Sequence, residues 1–394
     1  MSSDDVVILA GARTPQGRLL GQLAGFSAVE LGAIALRSAI ERSGVDVDDI
    51  DAVVFGQVLQ AGAGQNPARQ TARAAGIGWN VPAVTVNKVC LSGIHAVVDA
   101  ARLIRTGEAS VVVAGGQESM TNAPHVLPAS RKGYKYGEVT LIDTAAFDGL
   151  TDAFDGDSMG ISTERHNGPL GIERSDQDAV AAGSHQRAAA AQASGLFDGE
   201  ITPVTVPSRR GEPTVLTVDE GVRGDSTVES LGALRPAFDK DGTITAGNSS
   251  PLSDGACALI LARRSWAEER GLSWLAVVGA SGSVAGPDNS LHSQPSRAIA
   301  AALDKAGWSA SDLDLIEINE AFAAVSVQSM RDLELDPEKV NIHGGAIALG
   351  HPIGASGARL VLHAALELSR RGSGQAAAAL CGGGGQGDAV LLSR

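Results

Sequence analysis

The sequence is poor in aromatic residues, and its acidic residues outnumber its basic ones. Aromatic residues make up only 3% of the 394 positions, which argues against a protein that reads nucleic acids by stacking bases on rings. The formal net charge of -14 argues against general affinity for DNA, RNA or acidic membranes. We therefore expect neither nucleic acid nor a membrane among the partners of this protein.

Cysteines and long apolar runs are also scarce. Cys90, Cys257 and Cys381 are too few and too scattered for a disulfide framework, and none of them forms a C-x-x-C pair. Residues 1–5 carry acidic groups where a signal peptide needs basic ones. No apolar run reaches the roughly 20 residues of a membrane span. The sequence predicts a cytoplasmic protein with neither a metal site nor a permanently bound cofactor.

The chain contains a loose internal repeat. In the first copy, Ser27 and Glu30 have the spacing of a capping box, and a helix follows that ends at Gly44. An apolar strand is predicted over residues 49–56. In the second copy a helix begins near Pro295 and ends at Gly307, and a strand is predicted over residues 312–319. Gly44, Asp49 and Asp51 match Gly307, Asp312 and Asp314 at one constant offset.

The repeat continues through the residues with chemical potential. Cys90 precedes a predicted helix that ends at Gly107, and His351 precedes one that ends near Gly372. Each helix is followed by an apolar strand, over residues 111–114 and 376–380. Helices that alternate with such strands indicate two duplicated α/β halves with mostly parallel sheets. Because the Cys90 and His351 turns are equivalent points of the two halves, we expect a pseudo-dyad to bring them together.

A segment of different composition separates the two copies. It is rich in glycine, proline and charge, and it holds one clear helix, over residues 176–193. We interpret it as an inserted loop lobe that binds substrate. The predicted organisation is a first half at residues 1–120 and 248–270, an inserted lobe at residues 121–247, and a second half at residues 271–394.

The candidate chemistry is acyl transfer through a thioester. Cys90 lies where a loop becomes a helix, and unpaired backbone N–H groups there favour the reactive thiolate. His351, in a glycine-rich turn, is the best candidate base. Cys381 opens a glycine run whose N–H groups suit an oxyanion hole. Asn319 and Glu320 follow a predicted strand, where they can hold a water and orient an imidazole; a plain helix cap is the alternative.

Four stretches together resemble the signatures of the thiolase family, in the family's order. They are VNKVCLSG around Cys90, NEAFA after Asn319, NIHGGAIALGHPIGASGAR around His351, and CGGGGQGDA from Cys381. The resemblance covers nearly the whole chain. It implies the thiolase fold, in which two α/β halves stack as five layers and a loop lobe is inserted in the first half.

The resemblance also implies roles for these residues. Cys90 would be acylated, and His351 would activate it and help to hold the thioester oxygen. Cys381 would exchange a proton with the second acyl-CoA. Asn319 would position a water in a first oxyanion hole, and the backbone of Cys90 and Gly383 would form a second. The implied reaction condenses two acetyl-CoA molecules into acetoacetyl-CoA and CoA, or runs in reverse.

The resemblance further implies a set of coenzyme A contacts on the lobe and its flanks. The set comprises Leu150, Ser158, Met159, Arg223, Ser230, Phe238, Ala246, Ser250, Leu252, Ala321 and Phe322. Arg223 suits the adenine or phosphate end, with a solvated surface arginine as the alternative, and ordinary packing is the alternative for the apolar members. Many biosynthetic members have His where this chain has Ser158, which removes a contact on the pantetheine side.

The family resemblance implies a homo-oligomer. Residues 131–137 resemble the loop through which tetrameric members associate, although a basic surface loop is the alternative interpretation. Dimerisation through the first-half sheet is the second expectation.

Three other functions stay open. One is a thiolase of broader chain length that cleaves 3-ketoacyl-CoA in fatty-acid β-oxidation. Another is a decarboxylating condensing enzyme of the same fold, which would need no second catalytic thiol such as Cys381. The third is a CoA-binding protein without catalysis, against which the joint presence of Cys90, His351, Cys381 and Asn319 argues.

Overall fold

The computed structural model describes residues 5–208 and 211–394. Residues 1–4 of the predicted first half and residues 209–210 of the predicted lobe lie outside this part. The strands are β1 (Val6–Arg13), β2 (Gly17–Arg18), β3 (Ala52–Gly56), β4 (Ala83–Val86), β5 (Val111–Ser119), β6 (His125–Val126), β7 (Ile142–Asp143), β8 (Val204–Val206), β9 (Thr214–Leu216), β10 (Ser253–Arg263), β11 (Ala276–Ala285), β12 (Leu315–Ile318), β13 (Gln375–Gly382) and β14 (Gln386–Ser393).

The α-helices alternate with these strands in both halves of the chain. They are α1 (Ala28–Ser43), α2 (Pro67–Ala74), α3 (Ser92–Arg105), α4 (Met159–Asn167), α5 (Arg174–Ala193), α6 (Val228–Gly232), α7 (Arg264–Glu269), α8 (Gln294–Ala306), α9 (Ala323–Asp332), α10 (Ala346–Leu349) and α11 (Ser356–Arg371). In the described ranges, no helix has the length and apolar character needed to cross a lipid bilayer.

One continuous sheet runs through both halves. Its strand order is β12-β13-β14-β11-β1-β10-β5-β3-β4, and β2 pairs with β10. The halves join where β1 and β11 pair in antiparallel fashion, from Val6 opposite Val278 to Ile8 opposite Ala276. The expectation of mostly parallel pairing is wrong. Among the described strands of this sheet, only the pairs β3–β4, β3–β5 and β12–β13 are parallel, because β10 returns antiparallel to β5 and a tight turn joins β13 to β14.

Helices and half-sheets form five layers. Helices α1 and α2 cover the outer face of the first half-sheet, and α8 covers the outer face of the second. Helices α3 and α11 pack against each other between the two half-sheets. This middle layer is apolar on both sides; Ile94, Val97, Leu360 and Val361 are all fully buried in it. Burial of this continuous apolar surface is the main force that holds the halves together.

The predicted repeat is present in detail. Helix α1 begins with the Ser27–Glu30 capping box and ends at Gly44, and α8 ends at Gly307, with both glycines in the left-handed region. The predicted strands 49–56 and 312–319 are shorter than expected, at β3 and β12. Asp49 and Asp312 lie in single 3-10 turns before the strands.

Over the described part of residues 121–247, which omits 209–210, no strand belongs to the large sheet. This segment carries two small ribbons, β6–β7 and β8–β9, and helices α4, α5 and α6. The predicted helix over residues 176–193 is α5, which begins two residues earlier. The buried Glu200 of this segment accepts hydrogen bonds from Arg13 of β1 (2.8 Å) and pairs with His363 of α11 (2.9 Å), so the segment contacts both halves. The three-part division of the chain stays a prediction.

Candidate active site

The turn before α3 holds Cys90 in a strained backbone. Val89 has a φ of 51°, a conformation that is rare for a β-branched residue. The Ser92 hydroxyl donates to the Val89 carbonyl (2.6 Å) and accepts from the Lys88 N–H (2.9 Å). These two bonds close the turn and direct Cys90 towards the second half.

An ion pair ties this turn to the second half. The Lys88 ammonium lies 2.7 Å from Asp388 of β14, and the Asp388 carboxylate is 2% exposed. Asp388 pairs with Leu380, and the preceding residue, Gly387, pairs with Cys381. The hairpin that carries Cys381 therefore also anchors the turn that carries Cys90.

The His351 turn is held by the first half. The His351 N–H donates to the Ser253 hydroxyl of β10 (3.0 Å), and the Gly354 N–H donates to Glu118 at the end of β5 (3.0 Å). Glu118 also accepts the N–H groups of Val58 and Leu59. Burial raises the pKa of Glu118 to about 7, although these N–H groups oppose the shift. One buried carboxyl at the end of β5 thus connects two loops beneath the site.

The His351 imidazole is buried and neutral at pH 7. Its Nδ1 lies 2.6 Å from the Ser356 hydroxyl oxygen, and the amide nitrogen of Asn319 lies 3.4 Å from its Nε2 and 3.5 Å from its Nδ1. Burial, and then the nearby Arg359 charge, lower the pKa of His351 to about 3. A neutral imidazole is able to accept a proton, as a general base must.

Asn319 directly follows β12 and lies beside the imidazole of His351. Its side chain is fully buried, and its Oδ1 has no hydrogen-bond partner among the described residues. Such a buried acceptor suits a bound water or a substrate group. The expectation that Glu320 orients the imidazole is wrong, because the Glu320 carboxylate accepts hydrogen bonds from Ser184 (2.7 Å), Asn341 (3.0 Å) and the N–H of Ile347 (3.1 Å).

Cys90 is not prepared as a thiolate, contrary to the expectation from its place before a helix. Burial raises the pKa of Cys90 to about 12, and the N–H groups of Cys90 and Gly383 only partly offset this effect. Both N–H groups are directed at the sulfur, as oxyanion-hole donors would be. Burial, and then the proximity of Cys90, also raise the pKa of Cys381. The resting site therefore holds two thiols beside a neutral imidazole.

A cavity of about 280 Å³ brings together most of the predicted residues. The predicted residues in its wall are Cys90, His351, Cys381, Gly383, Leu150, Ser158, Met159, Phe238, Ser250, Leu252, Ala321 and Phe322. The wall is mainly apolar apart from the reacting groups, and the rings of Phe238 and Phe322 meet edge to face at 6.1 Å. Asn319 contacts the His351 ring and is not itself among the residues that line the cavity.

Three predicted contacts lie outside the cavity wall. Arg223, Ser230 and Ala246 are exposed. The Arg223 guanidinium lies 3.3 Å from the ring of His185, where its charge adds to burial in lowering the pKa of His185 to about 4. The Ser230 hydroxyl donates to the Thr227 carbonyl (2.9 Å) at the start of α6. These residues are available only to a part of a ligand that extends beyond the cavity.

Ser158 has a local structural task in addition to its place in the wall. Its side chain accepts the N–H of Ile161 (3.3 Å) and caps α4. The next residue, Met159, donates its N–H to the Leu150 carbonyl (2.8 Å). This short ribbon orders the three predicted contacts Leu150, Ser158 and Met159.

Sequence reasoning missed Glu118, Lys88 and Ser356. Glu118 follows an apolar strand and has no local pattern of its own. Lys88 reads as an ordinary loop lysine until Asp388 is seen beside it. Ser356 had a signal: Ser356-Gly357 opens α11 just as Ser92-Gly93 opens α3. Among the described residues, no cluster of three or more His, Cys, Asp or Glu side chains is arranged to hold a metal ion.

Two thiols, an imidazole and two directed N–H groups around one apolar cavity are the parts that acyl transfer through a thioester requires. The duplicated fold and this site together define a class, the acyltransferases of duplicated α/β architecture.

Comparison with known proteins gives the family. The thiolase N-terminal domain matches residues 6–265, and the thiolase C-terminal domain matches residues 272–394. A probable acetyl-CoA acetyltransferase of Mycolicibacterium smegmatis is 58% identical over 98% of this chain and 100% of its own length. An acetyl-CoA acetyltransferase of Pseudomonas aeruginosa is 50% identical over 99% of both chains. The chain belongs to the thiolase family.

Proposed function

We propose that this protein is an acetyl-CoA C-acetyltransferase. It joins two acetyl-CoA molecules into acetoacetyl-CoA and free CoA, or catalyses the reverse thiolysis. The names of relatives at 46–58% identity over nearly the full chain support the acetyl group. The observation that carries the proposal is the shared wall of one cavity, where Cys90, His351 and Cys381 meet from both halves.

The first step in this proposal acetylates Cys90. His351 Nε2 takes the Cys90 proton while the sulfur attacks the carbonyl carbon of acetyl-CoA. The bond from that carbon to the CoA sulfur then breaks, and the CoA thiolate leaves with the Cys381 proton. The high pKa of Cys90 and the low pKa of His351 disfavour a resting ion pair, so the proton moves together with the attack.

The second step forms the carbon–carbon bond. The Cys381 thiolate removes an α-proton from a second acetyl-CoA, and the resulting carbanion attacks the acetyl carbon on Cys90. Nε2–H of His351 and a water held by Asn319 stabilise the enolate oxygen. The N–H groups of Cys90 and Gly383 stabilise the tetrahedral oxyanion. Cys90 then leaves as a thiolate and recovers its proton from His351.

Coenzyme A enters this scheme as a substrate. The apolar wall around Leu150, Met159 and Phe322 suits the pantetheine arm, and exposed Arg223 suits the adenine or phosphate end. Ser158 is smaller than the histidine of many biosynthetic relatives, which supports a second candidate, a thiolase that also accepts longer 3-ketoacyl chains.

We also propose a cytoplasmic homo-oligomer, either a dimer or a tetramer. Residues 131–137 are exposed, and Tyr136 is fully accessible in the monomer. Light scattering of the purified protein measures its mass directly. A stable monomer would contradict this part of the proposal.

The decisive experiment has two measurements. The enzyme is first incubated with acetyl-CoA alone and digested, and mass spectrometry is expected to find the acetyl group on Cys90. Cleavage of acetoacetyl-CoA by free CoA is then compared with cleavage of longer 3-ketoacyl-CoA substrates. A preference for the four-carbon substrate supports the proposal. A strong preference for long chains favours the second candidate, and absence of acetyl-Cys90 overturns both.

A further inference from the structure

The start of α11 places a buried hydroxyl against the imidazole of His351. The Ser356 Oγ lies 2.6 Å from Nδ1 and 3.0 Å from the carbonyl oxygen of Pro352. Ser356 is 0% exposed and His351 is 5% exposed, so water does not compete for these bonds. A hydroxyl has one proton. If it is donated to the Pro352 carbonyl, Nδ1 must be the protonated nitrogen.

The first half of the chain shows which way such a hydroxyl points. Ser92 holds the equivalent position at the start of α3, and its Oγ also lies near a preceding carbonyl, that of Val89 (2.6 Å). Its second neighbour is the Lys88 N–H (2.9 Å). A backbone N–H can only donate, so the Ser92 hydroxyl donates to the carbonyl and accepts from the N–H. The same orientation at Ser356 makes Nδ1–H the donor to Oγ.

The amide of Asn319 does not decide between the two tautomers. Its nitrogen lies 3.4 Å from Nε2 and 3.5 Å from Nδ1 of His351, so it faces both ring nitrogens alike. The position of the imidazole proton is therefore set by the Ser356 hydroxyl.

We propose that Ser356 is a positioning residue that keeps the proton of neutral His351 on Nδ1 and leaves Nε2 bare. This inference rests on the proposed function, in which Nε2 accepts the Cys90 proton. When that proton arrives, the imidazolium keeps its Nδ1–H bond to Ser356, and Nε2–H becomes the donor to the substrate oxygen. Without the Ser356 oxygen, the ring has no fixed tautomer and loses a partner for its charged form.

The test is the Ser356→Ala variant, with Ser329→Ala as the matched control. Ser329 is also fully buried in a helix, and its hydroxyl donates to a backbone carbonyl, that of His292 (3.0 Å), rather than bonding to a ring nitrogen. We expect Ser356→Ala to lower kcat by about 10- to 100-fold with little change in KM. Ser329→Ala should keep kcat within about twofold. Equal kcat values for both variants would overturn the proposal.

A second measurement does not depend on the variant folding. Nitrogen-15 NMR of the histidine-labelled wild-type enzyme is expected to show His351 with a protonated Nδ1 and a bare Nε2, and His351→Asn assigns the signal. A resting wild-type enzyme with its proton on Nε2 would overturn the proposal. Acetyl-Cys90 in the wild-type enzyme is measured beside these tests. If it forms while Ser356→Ala keeps full kcat, only the role of Ser356 fails; if it does not form, the proposed function fails.

Discussion

The helices α3 and α11 begin alike in the two halves and yet present different chemistry. Each opens with Ser-Gly, and each serine lies near a carbonyl of the preceding turn. In the first half, Ser92 closes the turn in which the strained Val89 precedes Cys90, and this turn presents the Cys90 thiol. In the second half, Ser356 contacts an imidazole. One helix start thus serves for a nucleophile and for its base, and the difference lies in the four or five residues before the serine.

The comparison also explains why the two turns need each other. The Cys90 turn is anchored by Asp388 of the second half, and the His351 turn is anchored by Ser253 and Glu118 of the first. Neither turn is held only by its own half. Geometry at the thiol and the imidazole therefore depends on correct packing of both halves.

The largest expected effect comes from removing the Cys90 thiol, the reacting group that the first half contributes. Cys90→Ala should lower acetoacetyl-CoA cleavage by at least about 1,000-fold, because the acetyl carrier is lost. Cys257→Ala is the control, since Cys257 is buried in β10 away from the cavity; it should keep the activity. Full activity in Cys90→Ala would remove the basis of the mechanism.

Removing Asn319 tests the contribution of the second half to the condensation step. Asn319→Ala should slow condensation by about 100- to 1,000-fold, because one donor to the enolate oxygen is lost, while acetylation of Cys90 by acetyl-CoA continues. Rapid quench separates the two steps. Asn167→Ala, which removes another buried amide bonded to Thr243 (2.9 Å), is the control for packing. An Asn319→Ala enzyme that cannot be acetylated contradicts the assigned role.

The pH dependence of alkylation tests whether the two turns exchange a proton at rest. The thiolate is the form that reacts with iodoacetamide, and the pKa of Cys90 is raised to about 12. The thiolate fraction should therefore rise about tenfold per pH unit below that pKa, and the alkylation rate should rise with it between about pH 6 and 9. A plateau across this range would instead indicate a thiolate–imidazolium pair.

The smallest expected effect is on the stability of the fold and concerns His363 of α11. The pKa of this histidine is shifted in the opposite direction from that of His351. Burial alone would lower the pKa of His363, but the Glu200 carboxylate, with a further contribution from Glu317, raises it above its ordinary value. A raised pKa stabilises the fold below about pH 6.5, the unfolded value, and this stability is lost as pH rises through the folded pKa. His363→Gln should lower Tm by about 2 °C at pH 6 and by less at pH 8.

The control for this experiment is His125→Gln. The His125 side chain is 60% exposed, and its nearest carboxylate, that of Asp143, is as far as 4.0 Å away. Differential scanning calorimetry at both pH values measures the Tm of each variant. If the change of Tm between pH 6 and pH 8 is the same in His363→Gln as in the wild-type protein, then His363 is not the group that makes stability depend on pH.

Much of the fold was predictable because its signals are local. The Ser27–Glu30 capping box, Gly44 and Gly307 mark helix ends by their own conformational preferences. Strand direction was not predictable. The sequence of β10 looks like any buried apolar strand, and its antiparallel pairing with β1 and β5 follows from where the inserted segment returns the chain.

The site was predictable as a set of residue types and not as an electrostatic environment. His351 and Cys381 stand out because they lie in glycine-rich turns, and Cys90 stands out because it lies where a loop becomes a helix. Their protonation depends on burial by residues far away in the chain, so the thiolate expected for Cys90 from its helix start was wrong. Glu118 and Lys88 act through partners 59 or more positions away, which no local pattern reveals.

The middle helix layer has a consequence for whether one half could exist alone. A single half on its own would expose the apolar face of α3 to water, and the seam between β1 and β11 is only a few residues long. The simplest cover for that face is another copy of the same unit, related by a twofold axis. An unduplicated unit would therefore need a second copy of itself to keep that face out of water.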